Sequence, residues 1–282
     1  MADPKQQASI ERMRRFDIRP RRKLGQNFLI DNNILDVIST AADLHVDDVV
    51  LEVGGGLGVL SEFLAARVSK LQVIEIDNKL SDALDDAVGG FENVLVHYGD
   101  AVDIDFGELD PKPTKLIANL PYNVAATCVI KAFYELPALE LCCVMAQREV
   151  GERLTAKPSN KLYAGTSVLV QAISDNTTTR KLSRNIFHPV PNVDSSLVTL
   201  KRTAENPPPE FNALVHGAFA HRRKPLAGSL ALIRRGHDDA DTIKQRAVAA
   251  LAELGYDANT RAEQLPATDF LRLNELISED RG

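Results

Sequence analysis

The residues of this chain best suited to chemistry are Asn119-Leu120-Pro121-Tyr122. They follow a short apolar run, residues 115–118, that predicts a buried strand. Pro121 must end that strand, because proline cannot donate to a strand ladder. Asn119 offers an amide oxygen, Leu120 a backbone carbonyl and Tyr122 a flat ring. Two acceptors beside a stacking ring suit a planar ring with an exocyclic amino group, such as adenine. Alone, the four residues would also fit an ordinary turn with a half-buried tyrosine.

Three successive predicted strands end in groups that suit an adenosine. The glycine turn 54–58 follows the first strand and lets a ligand approach the backbone closely. Glu75 ends the second strand about 20 residues further on, where an acid accepts hydrogen bonds from a ribose diol. Asp100 follows the third strand and can accept from an adenine amino group. Glu52 would repel a pyrophosphate and tolerate a cationic methionine end, which favours S-adenosylmethionine over NAD.

The elements that must position these groups alternate between strand and helix. This alternation indicates an α/β fold with a parallel, doubly wound sheet. Two further runs, 177–186 and 195–202, predict an antiparallel hairpin that closes the sheet edge. The predicted strands of the parallel part are residues 48–53, 71–76, 93–98, 116–119 and 139–145. The predicted helices between and beside them are residues 31–44, 57–68, 77–87, 124–136, 148–156 and 164–173.

Composition and charge set the domain limits and exclude several classes of protein. Residues 1–24 form a basic arm with eight cations and three acids, although the net charge of the whole chain is −6. Pro207-Pro208-Pro209 predicts a linker between a sheet domain, 25–206, and a helical C-terminal domain, 207–282. The arm and a second basic cluster, residues 221–224, could neutralise phosphates or simply be solvated.

Three cysteines in apolar runs, no secretory signal and no long apolar segment predict a cytoplasmic protein without disulfides or membrane spans. The six histidines have no metal-ligand spacing with the cysteines, so we expect no metal site.

Taken in order, the motifs resemble the rRNA adenine N6-dimethyltransferases. Five segments carry the resemblance: residues 25–29, 52–58, 74–77, 99–101 and 119–123. Four others make the chain most similar to the small-subunit (16S) enzymes of that family: residues 147–150, 187–195, 219–224 and 261–263. The resemblance runs from about Lys23 to about Leu273 and does not cover the basic arm.

The resemblance implies a Rossmann-like class I methyltransferase sheet with a small all-helical, rRNA-binding C-terminal domain. It implies transfer of four methyl groups from S-adenosylmethionine to two adjacent adenosines in the 3′-terminal hairpin of 16S rRNA, within an immature small ribosomal subunit. We expect a monomer. Two other hypotheses stay open at this point. One is a large-subunit rRNA adenine methyltransferase of the antibiotic-resistance type, and the other is a non-catalytic ribosome assembly factor that keeps the fold.

The resemblance also assigns roles to individual residues. Those expected to bind the cofactor are Gln26, Asn27, Leu29, Glu52, Gly54, Gly56, Glu75, Ile76, Asp100, Ala101 and Asn119. Those expected to hold the target adenine are Asn119, Leu120, Tyr122 and Phe187, with Tyr122 and Phe187 on its two faces. Those expected to contact rRNA are Arg148, Arg222, Arg223 and Lys224. One departure stands out, because Gly55 occupies a position where the family often has proline, which predicts a more flexible loop.

Overall fold

The computed structural model describes residues 4–232 and 239–279. The first three residues of the predicted arm, and residues 233–238 and 280–282 of the predicted C-terminal domain, lie outside the described part. The chain divides into two compact units. The first comprises Met1–Gly151 and Asp175–Arg202, and the second comprises Glu152–Ser174 and Thr203–Gly282.

A seven-stranded sheet forms the centre of the first unit. Its strands lie in the order β4-β3-β2-β5-β6-β9-β7, and β1 pairs with β8 in a separate two-stranded sheet. The pairs from β4 through β6 are parallel, and β9 runs antiparallel to β6. The strands are β1 Phe28–Leu29, β2 Val49–Val53, β3 Lys70–Glu75, β4 Val94–Tyr98, β5 Lys115–Asn119, β6 Leu141–Gln147, β7 Ser174–Leu182, β8 Phe187–His188 and β9 Ser195–Arg202.

Burial explains why these segments become strands. The central strands are short apolar runs whose side chains are buried on both faces, as expected where helices cover a parallel sheet. Each helix between them turns one apolar face inward, through residues such as Ile38, Leu64, Leu84 and Phe133. The helices of this unit are α1 Pro4–Arg15, α2 Asn33–Ala41, α3 Val59–Ala65, α4 Ser81–Val88 and α5 Ala125–Glu135, and α6 Arg148–Leu154 spans the boundary between the units.

The predicted α/β fold is confirmed, and its strand limits agree within a few residues. The exceptions are the two short strands β1 and β8, which were not among the predicted strands. Phe28 and Leu29 pair with His188 and Phe187, which are distant in sequence and give no local signal of the pairing. The predicted edge strands are neighbours in the sheet, as β7 and β9.

The second unit is built from helices around an aromatic core. Tyr163 is fully buried, its hydroxyl donates to the Leu265 carbonyl at 2.8 Å, and its ring meets Phe219 edge-on. These contacts group residues 152–174 with the C-terminal helices, whereas the sequence placed them in a sheet domain ending at residue 206. The described residues of 207–282 contain no strand. The helices are α7 Gly165–Gln171, α8 Pro209–Ala220, α9 Leu226–Leu230, α10 Ala240–Glu253 and α11 Ala267–Glu279.

The glycine turn after β2 is tightly packed. Gly54 has a φ of 87°, a backbone conformation that residues with a side chain rarely adopt. A Cβ on Gly55 would lie 2.6 Å from Cγ1 of Val73 and 3.0 Å from Cδ2 of Leu84. Val73 and Leu84 leave no space for a side chain at position 55. This close packing gives no support to the prediction that Gly55 makes the loop more flexible.

We expect Gly55→Ala to lower the free energy of unfolding by about 1–3 kcal/mol, since it overpacks the turn against Val73 and Leu84. Gly90→Ala is the matched control, because a Cβ there meets nothing within 4 Å. Urea denaturation of both variants measures the difference. Equal losses in the two would contradict the packing argument.

Candidate nucleoside cleft

The carboxyl ends of the parallel strands frame a cleft in the first unit. Open α/β sheets bind ligands at this edge. Most of the residues predicted to bind cofactor or target meet in this cleft, although they come from five separate segments. Those that line it are Gln26, Asn27, Gly54, Gly56, Glu75, Ile76, Asp100, Ala101, Asn119, Leu120 and Tyr122.

Glu75 is the most firmly held acid of the cleft. Its side chain is buried, and its two carboxylate oxygens accept from the backbone N–H groups of Gly56 and Asp77, each at 2.8 Å. Burial raises the pKa of Glu75, and the two backbone donors act against that rise. Each oxygen keeps a further lone pair. Glu75 is therefore fixed in place with accepting capacity left for a ligand.

The residues that follow β3 and β4 supply an apolar surface and a second carboxylate. Ile76 is 44% exposed although it lines a cleft, so its side chain is available to a planar ring. Asp100 accepts from the backbone N–H of Val102 at 2.9 Å, which orients the carboxyl group. Ala101 is buried beside it. The arrangement suits an adenine whose face lies on Ile76 and whose amino group reaches Asp100.

The Asn119 side chain has a defined orientation. Its Nδ2 donates to the Asn27 carbonyl at 3.0 Å, and because a carbonyl can only accept, the amide nitrogen must face Asn27. The Asn27 side chain in turn donates to the Gly25 carbonyl at 3.0 Å. The Asn119 Oδ1 atom remains as an acceptor at the end of β5, beside the glycine turn.

Tyr122 is held through its hydroxyl. The Tyr122 oxygen and Ser195 Oγ lie 3.0 Å apart, and either can donate. Ser195 is fully buried at the start of β9. Burial also raises the pKa of Tyr122. Sequence reasoning assigned Ser195 no role, since nothing local links residues 73 positions apart; the structure assigns it the positioning of the Tyr122 ring.

Asp77 is a second residue that sequence reasoning missed. It is 3% exposed and accepts from Gln26 Nε2 at 2.8 Å and from Arg21 Nη1 at 3.0 Å. The backbone N–H of Arg21 donates to Gln26 Oε1 at 2.8 Å. Burial alone would raise the pKa of Asp77, but hydrogen bonds from Gln26, the Lys79 N–H and Arg21 hold it below its usual value. An ionised Asp77 thus ties Gln26 and the arm to the end of β3.

The basic arm packs on this unit. Met13, Phe16 and Ile18 pack on a cluster that contains Phe28 and Leu80, two residues that line the cleft. Arg12 donates to the Leu57 carbonyl at 2.9 Å and lies 3.2 Å from Glu62. Arg12 and Arg15 both pair with Asp86.

Three predicted residues do not line the cleft. Leu29 and Phe187 are buried and pair with one another across β1 and β8. Phe187 is only 1% exposed, so in this conformation its ring does not cover a target base as predicted. Glu52 is 1% exposed beneath the glycine turn, and its Oε2 has no hydrogen-bond partner among the described residues.

The charge argument for Glu52 assumed an ionised carboxylate. Burial raises the pKa of Glu52 to about 8, so the carboxyl group is mostly neutral at pH 7. A neutral acid neither repels a pyrophosphate nor attracts a cationic ligand. The choice of S-adenosylmethionine over NAD therefore cannot rest on Glu52.

The residues predicted to bind RNA differ in the ion pairs and hydrogen bonds that their side chains make. Arg222 Nε lies 2.6 Å from Glu263 Oε2, and Arg222 Nη2 donates to the Lys161 carbonyl at 2.8 Å. Arg223 and Lys224 are exposed and have no ion-pair partner within the described ranges. Arg148 pairs with Asp194 at 3.3 Å.

Two searches of the described residues gave negative results. No group of three or more His, Cys, Asp or Glu side chains is arranged to hold a metal ion in the described part of the chain. Within the same residues, no helix is both long and apolar enough to cross a membrane.

The sheet order, with glycines and acids at its carboxyl edge and an oriented amide beside them, defines a Rossmann-like class I methyltransferase. A family model described as Ribosomal RNA adenine dimethylase matches residues 18–278, and the chain belongs to that family.

The chain is also similar to individual proteins over nearly its whole length. It is 40% identical over 262 residues to the ribosomal RNA small subunit methyltransferase A of Rubrobacter xylanophilus, covering 92% of this chain and 96% of that one. A dimethyladenosine transferase from Plasmodium falciparum has the same fold, with a TM-score of 0.74, 24% identity and coverage of 90% and 98%. The 23S rRNA methyltransferase ErmE gives a TM-score of 0.65, 25% identity and coverage of 89% and 100%.

The raised pKa of Glu52 gives a pH-dependent prediction. Between pH 4.5 and about 8 the unfolded chain ionises Glu52 while the folded chain does not, so the contribution of Glu52 to stability falls across that range as pH rises. Glu52→Gln cannot ionise. The free energy of unfolding of Glu52→Gln, relative to that of wild type, should therefore increase as pH rises, by at most about 1.4 kcal/mol per pH unit.

Urea unfolding of both proteins at pH 5 and pH 8 measures the difference. The exposed Glu108→Gln variant is the control and should keep a constant offset from wild type. A constant offset for Glu52→Gln as well would show that Glu52 is ionised in the folded protein.

Proposed function

We propose that this protein transfers methyl groups from S-adenosylmethionine to the N6 atoms of adenosines in small-subunit rRNA. The supporting observation is the Asn119 amide, whose nitrogen donates to the Asn27 carbonyl, so that its oxygen can accept from a ligand in the cleft. In its full form the proposal is four transfers to two adjacent adenosines of the 3′-terminal hairpin of 16S rRNA. The substrate is an immature subunit, and the enzyme acts as a cytoplasmic monomer without metal.

The residues of the cleft fit the proposed cofactor. Glu75 would accept from the ribose hydroxyls, Ile76 would lie on the adenine and Asp100 would accept from its amino group. Gln26, Asn27 and Gly54 would border the methionine end, where Gly54 keeps the backbone open with its φ of 87°. When bound, the cofactor supplies an activated methyl group on a sulfonium.

Asn119 and Leu120 would prepare the target nitrogen. The exocyclic nitrogen of adenine is a poor nucleophile, because its lone pair is delocalised into the ring. Asn119 Oδ1 and the Leu120 carbonyl would accept from its two N–H groups and favour a more pyramidal, electron-rich nitrogen. No residue needs to remove a proton beforehand, since the methylated nitrogen is cationic and acidic. Positioning for in-line attack can supply about 7–11 kcal/mol.

Tyr122 would stack on the target adenine once the base has left its helix. Ser195 holds the ring through its hydroxyl, so the stacking face is oriented in advance. The large-subunit alternative has weaker support, since identity is 25% to ErmE and 40% to the small-subunit relative. The non-catalytic alternative conflicts with the presence of Glu75, Asp100 and Asn119 together in the cleft.

Methyl mapping tests the function directly. Immature small subunits and naked large-subunit rRNA are incubated with the protein and labelled S-adenosylmethionine, and the modified adenosines are located by mass spectrometry. We expect two adjacent dimethyladenosines in the small-subunit rRNA. Label only in large-subunit rRNA would favour the alternative enzyme, and no label in either would favour the assembly factor.

Asn119→Ala should abolish this methylation while cofactor affinity, measured by calorimetric titration, stays within a few-fold of wild type. The reason is that the alanine removes the acceptor for the target nitrogen and leaves Glu75, Ile76 and Asp100 in place. Near-normal turnover in the variant would rule out the proposed role of Asn119.

The Tyr122–Ser195 contact separates stacking from orientation. Tyr122→Phe and Ser195→Ala each lose one hydrogen bond worth about 1 kcal/mol, so each should lower kcat/KM for rRNA by about five-fold. Tyr122→Ala also loses base stacking and should cost about ten- to hundred-fold. The double variant Tyr122→Phe/Ser195→Ala should match its single parents. If Tyr122→Ala retains the activity of Tyr122→Phe, the ring does not stack on the base.

A further inference from the structure

Strand β7 has an unusual surface for a strand of the main sheet. It is an edge strand of nine residues, and the seven from Asp175 to Lys181 are all exposed. Three of them are threonines, 177–179, and the last two are Arg180 and Lys181. Neither the Arg180 side chain nor the Lys181 side chain makes a hydrogen bond or ion pair in the described part of the chain.

The direction of β7 places Arg180 and Lys181 near the carboxyl ends of the parallel strands, where the cleft lies. The Thr203 N–H donates to the Ile173 carbonyl at 2.8 Å, and the Thr177 hydroxyl donates to the Thr199 carbonyl at 3.3 Å. The partner number falls as the β7 number rises, so β7 runs antiparallel to β9. Because β9 is antiparallel to β6, β7 ends at the same edge as β5 and β6.

The direction of β7 also brings its last residues near a target-binding residue. Lys181 is the second-last residue of β7, and Ser195 is the first residue of β9, the neighbouring strand. Ser195 is the residue whose Oγ lies 3.0 Å from the Tyr122 hydroxyl. Because β7 is antiparallel to β9, the last residues of β7 lie near the first residues of β9. Arg180 and Lys181 therefore lie at the end of β7 that is nearer to Tyr122.

Further cations lie at the same edge but are partly neutralised. Arg148, which comes directly after β6, and Arg184, two residues beyond β7, both pair with Asp194, at 3.3 and 3.4 Å. This leaves Arg180 and Lys181 as the exposed cations of β7 without a carboxylate partner among the described residues. Charged groups on an edge strand can also serve only to prevent strand addition by another molecule. A role in preventing strand addition, however, does not require Arg180 and Lys181 to be at the end of β7 that lies near the cleft.

We propose that Arg180 and Lys181 form a phosphate-binding surface for the rRNA strand that carries the target adenosine. A base that leaves its helix to reach Tyr122 brings its flanking phosphates to this edge of the sheet. Lysine and arginine bind phosphates without reading sequence, so the surface would set the register of the strand over the cleft. The inference rests on the proposed function, because it assigns a surface to the RNA substrate.

The test compares two double variants with the same loss of charge. Arg180→Gln/Lys181→Gln removes the proposed surface. The control, Lys112→Gln/Lys201→Gln, removes two exposed lysines at the opposite edge of the sheet. Binding is measured by fluorescence anisotropy with a labelled RNA hairpin whose loop holds two adjacent adenosines, over a series of salt concentrations. Methylation of immature subunits is measured in parallel.

We expect the first variant to bind RNA about ten-fold more weakly at about 0.15 M salt, and to have a salt slope smaller by about 1.5, as two lost phosphate contacts predict. The KM for rRNA should rise about ten-fold with kcat and cofactor affinity unchanged, and the control should match wild type. Equal affinity and slope in the variant and wild type, including no measurable binding by either, would overturn the proposal. So would self-association of the variant with unchanged RNA binding, which would indicate edge protection.

The two proposals can fail separately. If wild type methylates the expected adenosines and the variant does so with an unchanged KM, the surface is wrong and the function stands. If wild type methylates no rRNA, the proposed function fails, while the binding measurement still reports whether Arg180 and Lys181 contact RNA phosphates.

Discussion

The hydrogen bond from Asn119 Nδ2 to the Asn27 carbonyl is the interaction on which the proposed chemistry of the cleft depends. It joins the end of β5 to a loop 92 residues earlier in the chain, and it determines which end of the amide faces outward. Without that bond the side chain could present either a donor or an acceptor. The amino group of a target adenine needs an acceptor. The Asn119 oxygen can be that acceptor because the Asn27 carbonyl, which cannot donate, takes the amide nitrogen.

The loop that provides this carbonyl is itself held by charge and packing. Asp77 accepts from Gln26 and Arg21, and the arm covers Phe28 with Met13, Phe16 and Ile18. An aspartate as buried as Asp77 would be costly without partners, but three donors keep it ionised. The arm is therefore part of the scaffold of the cleft. Its positive charge is partly neutralised by Asp77, Glu62 and Asp86.

Local patterns predicted the sheet and most of the cleft, because both depend on periodicity and on the residues that come directly after each strand. Glu75, Asp100 and Asn119 come together since parallel strands end at one edge, which a sequence can indicate without coordinates. The misses are contacts between distant segments. Phe187 was expected to be exposed, yet pairing with Leu29 buries it, and Ser195 and Asp77 gained roles only through partners far away in sequence.

Charge was the least reliable guide, for a physical reason. A formal charge read from a sequence assumes that the group is solvated, whereas burial changes the ionisation of the group and a close partner changes the field it projects. Burial makes Glu52 mostly neutral at pH 7, and the charge of Arg222 is partly offset by its pairing with Glu263. Conversely, Arg180 and Lys181 belong to no recognisable motif. They become candidates because the strand is exposed, ends at the cleft and, among the described residues, offers them no carboxylate.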